Sequence, residues 1–153
     1  MYFIHLIKEL EMEFNLGIKD PSTEAICLKI NEEYHLSFYS KDNGQSVLIE
    51  SDIYELESSL GKDFYQHMLS ANFEGVLPWE TYFGINPETN HALLMKKVLL
   101  EHIDYDEFLI QLNQFITLYE ELQQQLYHWK IESFFHNKPT FEQKSENQNK
   151  LFI

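Results

Sequence analysis

Arginine is absent from these 153 residues, so all 11 basic side chains are lysines and no planar guanidinium fork exists for bidentate phosphate or guanine recognition. Cysteine occurs once, at Cys27, which excludes an internal disulfide and any multi-cysteine zinc or iron–sulfur centre and fits a reducing compartment. Glycine (5) and proline (4) are scarce, and there is no Gly-rich phosphate loop, no Gly-x-Ser-x-Gly elbow and no His-Glu-x-x-His pair, which lowers the prospect of an enzyme. No apolar run approaches the ~20 residues of a membrane span. The first residues, Met1 to Glu11, break their apolar pattern with charge too early for a signal peptide, so neither membrane insertion nor general secretion is expected. What is abundant is negative charge: 25 acids against 11 lysines give −14. That balance argues against binding nucleic acid or an anionic membrane, both of which draw affinity from cationic side chains. At 44% hydrophobic and 15% aromatic, the chain is also too apolar to stay unfolded and long enough for one buried core.

Phe3, Leu6, Ile7, Leu10 and Phe14 recur at helical spacing, and Gly17 follows as a candidate left-handed terminator. Three runs, 24–30, 34–40 and 45–51, alternate or are rich in β-branched and aromatic residues and are separated by Asn31-Glu32-Glu33 and Lys41-Asp42-Asn43-Gly44, which predicts an antiparallel meander. In it Ile26, Leu28 and Ile30 share one face, opposite Ala25, Cys27 and Lys29, while Tyr34, Leu36 and Phe38 oppose His35, Ser37 and Tyr39. Ile53, Leu56, Leu60, Phe64 and Met68 then read as a helical turn followed by a second helix over about 60–73. Residues 81–85 and 91–99 flank Asn86-Pro87-Glu88-Thr89-Asn90 as a second hairpin. An Asp104/Glu107 capping box opens a last helix carrying Phe108, Leu112, Phe115, Tyr119, Leu122, Leu126 and Trp129. The fold class is α+β in the order α-β-β-β-α-β-β-α, a twisted antiparallel sheet covered by helices, with a domain over 1–134 and a polar tail over 135–153. Strand edges and a second sheet face left bare by so small a domain favour oligomerisation.

The seven histidines are scattered without short ligand spacing, so no metal site is expected from them. The knot Glu101-His102-Ile103-Asp104-Tyr105-Asp106-Glu107 is read first as a helix cap set against the positive end of a helix dipole, and only second as a cation site or the acid–base pair of a metal-assisted hydrolase. Cys27, between Ile26 and Leu28 with no neighbouring base, is read as a buried, inert thiol. Glu50, Asp52, Glu55 and Glu57 form either a solvated face or a negative rim for a lysine- or arginine-rich partner segment. A regulatory reading, an acidic inhibitor that mimics nucleic acid, meets a charge that is spread rather than ridged: 14 acids and 5 lysines in the first 76 residues, 11 and 6 in the rest.

In the order and spacing of its elements the chain resembles the class I type III secretion chaperones of the Tir-chaperone family, over roughly residues 3 to 130. The resemblance rests on the first helix ending Phe14-Asn15-Leu16-Gly17, the meander, and the segment Met68-Leu69-Ser70-Ala71-Asn72-Phe73-Glu74-Gly75. It continues through Phe83-Gly84-Ile85-Asn86-Pro87-Glu88-Thr89-Asn90-His91-Ala92-Leu93-Leu94 and the acid-capped last helix. Val76-Leu77-Pro78-Trp79-Glu80-Thr81 departs from the Gly-rich approach usual before the fourth strand, and the polar tail is extra. The resemblance implies a homodimer of the bacterial cytoplasm, without enzymatic activity, cofactor or metal. Such a dimer would bind the N-terminal segment of an effector in extended form, keep it secretion-competent and present it to the export apparatus, where an ATPase is a further partner. Partner-binding grooves are expected from Leu6, Phe14, Ile26, Leu28, Leu36, Phe38, Val47 and Ile49, and a dimer seam from Phe64, Met68, Leu69, Trp79, Tyr82 and Phe83. Strand addition at a sheet edge would give such a client main-chain hydrogen bonds and bury its alternate side chains.

Overall fold

The computed structural model describes residues 1–20 and 22–135. Helix α1 (Phe3–Phe14) leads into β1 (Ala25–Ile30), β2 (Tyr34–Lys41) and β3 (Ser46–Glu55); α2 (Lys62–Ala71), β4 (Thr81–Asn86), β5 (His91–Leu99) and α3 (Tyr105–Phe135) complete the order expected. All strand pairs are antiparallel, in the sheet order β1-β2-β3-β5-β4, so β1 and β4 are the edges. One sheet face carries Leu36, Phe38, Val47, Ile49, Leu94 and Val98, packed with Leu6, Ile7 and Leu10 of α1 and Phe108, Phe115, Tyr119 and Leu126 of α3 in a single buried cluster. Each fully buried side chain of this size stabilises the fold by roughly 1.5–3 kcal/mol before entropy is counted.

Local chemistry sets the boundaries. Helix α1 closes at Asn15, which adopts the left-handed conformation (φ 50) and donates its N–H to the Glu11 carbonyl. Gly17, expected as the terminator, is also left-handed (φ +75) but lies two residues later, where its N–H and that of Ile18 donate to the Glu11 carboxylate. Asparagine, with its short polar side chain, enters this region more readily than most residues besides glycine, so the stop comes two residues before Gly17.

A second correction concerns residues 52–58, where the spacing of Ile53 and Leu56 predicts a helical turn. Strand β3 instead continues to Glu55 through an irregularity in its pairing with β5, where Asp52 opposes Leu93, Tyr54 opposes Ala92 and Ile53 is the extra residue. The bulge turns Tyr54 toward Phe64 of α2, ring centroids 5.3 Å apart, and leaves Ile53 buried. Helix α2 therefore starts only after Gly61. Cys27 is a third correction: it is exposed, because β1 is an edge strand and the face it points from is uncovered. The cap on α3 forms as expected, with the Glu107 N–H donating to Asp104 Oδ1 at 2.9 Å. Of the polar tail over 135–153, Phe135 is the last residue of α3 and the rest lies outside the described residues.

Candidate functional site: two apolar surfaces

The sheet ends in two unlike edges. On β4 the outward N–H of Phe83 donates to Asn72 Oδ1 at 2.7 Å, and the Phe83 carbonyl accepts from Asn72 Nδ2 at 2.9 Å. One primary amide thus presents to the strand the same donor and acceptor that a neighbouring strand would. The Thr81 N–H is also occupied, donating to the Pro78 carbonyl at 3.3 Å. The outer edge of β1 pairs with no strand among the described residues. Ile26, Leu28 and Ile30 there are only half-buried and pack against the rim of the core. At the start of that edge the Thr23 hydroxyl donates to the Ala25 carbonyl (2.9 Å) and accepts from the Ala25 N–H (3.4 Å), so the apolar surface lies beside a strand edge whose first residue is already capped. Before β1, α1 leaves Met12 and Phe14 exposed.

The second surface runs from α2 to β4. Leu69, Phe73 and Val76 are 70%, 66% and 68% exposed, and Trp79 and Ile85 are exposed as well; Tyr82, also exposed, lies on the opposite face of β4 from Phe83 and Ile85. Tyr65, Leu69 and Phe73, with Lys62, Gln66 and Ser70, line an open apolar cleft of about 440 Å³. Beneath it, Phe64, Met68 and Phe83 are buried, and Trp129 of α3 stacks on His67 (centroids 5.3 Å) and meets Phe83 edge-on (6.3 Å).

The residues singled out in the sequence divide accordingly. Leu6, Leu36, Phe38, Val47 and Ile49 are wholly buried in the chain's own core and offer no surface, whereas Ile26 and Leu28 lie half-buried on the open edge and Phe14 is exposed. Of the expected seam, Phe64, Met68 and Phe83 are core residues, and Leu69, Trp79 and Tyr82 are on the surface. Sequence reading passed over Phe73, Val76 and Ile85; for Phe73 and Val76 the usable signal was large apolar residues at a helix-terminating turn, and Ile85, on the edge strand β4, carried none.

Electrostatically the surface is quiet. Lys97 holds the Asp42 carboxyl below its ordinary range by a hydrogen bond, aided by Ser46, and Lys130 does the same to Glu57. Burial pushes the Glu50 carboxyl up. Burial likewise pulls Lys96 down against the charge of Glu80, and Lys96 is 3% exposed. Among the described residues no group of three or more His, Cys, Asp or Glu side chains is placed to hold a metal ion, and no helix is long and apolar enough to cross a membrane.

An antiparallel sheet with an unpaired edge strand among the described residues and an exposed apolar helix–strand face offers the kind of surface to which a polypeptide can add. The Tir chaperone protein (CesT) family model matches residues 5–123, well over half of the chain, and the protein belongs to that family. Solved structures with the same fold include a chain of the ExsC–ExsE complex, 18% identical with a TM-score of 0.68, where 80% of this chain covers 92% of that one. A chain of the HopA1–SchA chaperone–effector complex is 8% identical with a TM-score of 0.62, at 78% and 91% coverage. A chain of the heterodimeric ExoU–SpcU complex from the type III secretion system of Pseudomonas aeruginosa is 16% identical with a TM-score of 0.56, at 80% and 95%. Sequence comparison with curated proteins gives no match.

Proposed function

We propose that this chain is a type III secretion chaperone of the bacterial cytoplasm that binds the N-terminal segment of an effector in extended, non-globular form, and that it works as a homodimer without enzymatic activity. The observation that carries this reading is the outer edge of β1, which beyond the Thr23-capped Ala25 pairs with no strand among the described residues and lies beside half-buried Ile26, Leu28 and Ile30. A client strand laid there gains main-chain hydrogen bonds and buries every second side chain, which needs neither a fixed client fold nor ATP. The family membership and the chaperone–effector complexes among the structural neighbours support it.

The dimer reading is supported by the open α2-to-β4 surface, centred on Leu69, Phe73 and Trp79. Light scattering at micromolar concentration is expected to give twice 18.4 kDa. Leu69→Glu places like charges across a twofold seam and is expected to give the monomer with an unchanged far-UV spectrum; a wild-type monomer contradicts the dimer. For client binding, coexpression with the N-terminal segments of secreted proteins from the same cell is expected to yield a soluble complex that Leu28→Lys abolishes. Complexes indifferent to substitutions along β1 would remove the proposed site.

A further inference from the structure

The Thr23 hydroxyl does on β1 what the Asn72 amide does on β4: it presents to an edge residue the donor and acceptor of a missing neighbour. Along an antiparallel pair, residues alternate between those whose backbone groups face the neighbouring strand and those whose groups face away. The Ser40 N–H donates to the Glu24 carbonyl and the Glu33 N–H to the Ile30 carbonyl, so the even-numbered residues of β1 turn their backbone toward β2. The outward groups belong to Ala25, Cys27 and Lys29. Thr23 closes the first of these, and past Ile30 the chain leaves the strand through Asn31 and Glu32, both at positive φ (49 and 61). Among the described residues, the backbone groups of Cys27 and Lys29 are what remains open on this edge.

We infer that Thr23 is a register stop, and that β1 takes a client strand of about five residues that pairs through Cys27 and Lys29, is apolar at alternate positions and is basic where it runs on past Ile30; the inference rests on the client-binding reading above.

Length follows from the open groups. An antiparallel client exchanges a pair of hydrogen bonds with Cys27 and another with Lys29, and to reach Ala25 it would have to displace the Thr23 hydroxyl. Pattern follows from the pleat. Client residues opposite Ile26, Leu28 and Ile30 meet half-buried apolar side chains, and those opposite Cys27 and Lys29 lie on the exposed face. Charge follows from the Ile30 end. Glu32 and Glu33 stand exposed in the turn there. Tyr34 lies opposite Ile30, and burial, with the charges of Glu120 and Glu33, pushes its hydroxyl up to about 12. Lys29, the one cation of the strand, is paired with Glu32. The end at which a client leaves the edge is thus ringed by carboxylates, which attract a lysine or arginine and repel an acid.

The test uses synthetic peptides with the core Val-Thr-Val-Thr-Val, flanked at both ends by Lys-Lys or by Glu-Glu, titrated onto the isotope-labelled chain. The lysine-flanked peptide is expected to bind roughly 10-fold tighter at low salt, with the gap closing as salt is raised. It is expected to shift the Cys27 and Lys29 amides and leave the Ala25 amide in place. In Thr23→Val the Ala25 amide should join them, and a core lengthened by Val-Thr should bind roughly 5-fold tighter than it binds wild type, with the far-UV spectrum unchanged. If neither the peptides nor a coexpressed client segment shifts β1, the client-binding reading falls and the inference with it. A client segment that shifts Cys27 and Lys29 where the short peptides do not leaves that reading standing and overturns the short strand. Shifts that include Ala25 in the wild type overturn the register stop, and affinities for the two flanks within about twofold overturn the charge assignment.

Discussion

At the scale of single residues, Lys96 is the position where the chain departs furthest from what its surroundings favour. It takes a core-facing place on β5 in the row Ala92, Leu94, Lys96, Val98, and the acid whose charge reaches it, Glu80, is itself exposed. Desolvation lowers its folded value below the ordinary lysine range. In the window between that value and 10.5 the unfolded chain holds the extra proton, so the Lys96 contribution to stability rises with pH there; below it, the desolvation cost is fully present. Lys96→Met is therefore expected to raise the denaturation free energy at pH 7, by on the order of 1 kcal/mol. It is also expected to flatten the rise in stability on the alkaline side. A loss of stability measured by urea unfolding would mean that the Glu80 interaction outweighs burial. Asp42 has the opposite sign: held below its ordinary value by Lys97 and Ser46, it stabilises above about pH 4, and that contribution fades as acid protonates it.

At the scale of elements, the hinge of the fold is the Asn72 amide that closes the β4 edge. Asn72→Ala leaves the Phe83 N–H and carbonyl without partners in a part-buried setting and is expected to cost about 1–3 kcal/mol in chemical denaturation, with faster exchange of the Phe83 amide. Asn72→Asp keeps the acceptor for the Phe83 N–H but sets a carboxylate oxygen against the Phe83 carbonyl, and should cost at least as much; equal stability in all three proteins would show that water serves the edge as well. Elements of this kind were readable in the sequence where the pattern was periodic and locally capped. The 3.6-residue stripe and Asp104 cap gave α3, and alternation gave β1 and β2 with their faces correct. The reading failed where a tertiary contact overrode the spacing. Ile53 and Leu56 sit three apart as in a helix, yet Ile53 is the extra residue of a bulge within β3 and Leu56 follows the strand's end, its N–H donating to the Asn90 carbonyl. Phe64, Met68 and Phe83 have the composition of a seam and are core, because α3 runs far enough for Trp129 to cover that region. Nothing local announces that cover.

At the scale of the whole molecule, half-buried apolar residues line the β1 edge and exposed ones cluster on the α2-to-β4 face, with others on α1 and α3, while acidic residues are spread along the chain. The proposed function assigns them two tasks, pairing with a second copy and holding a polypeptide along the sheet border, and a charge of −14 favours solubility and basic partners. Truncation after residue 123 removes Trp129 and Lys130 and with them the contacts to His67, Phe83 and Glu57; it is expected to loosen α2 and weaken self-association more than it alters the β1 edge, as hydrogen exchange would report. The most direct measurement is nuclear magnetic resonance of an isotope-labelled N-terminal client segment bound to the unlabelled chain. The account predicts extended chemical shifts along the segment, cross-strand contacts to β1, and no tertiary structure within the client. A client that folds into a globular domain while bound, or that makes no contact with β1, would contradict it.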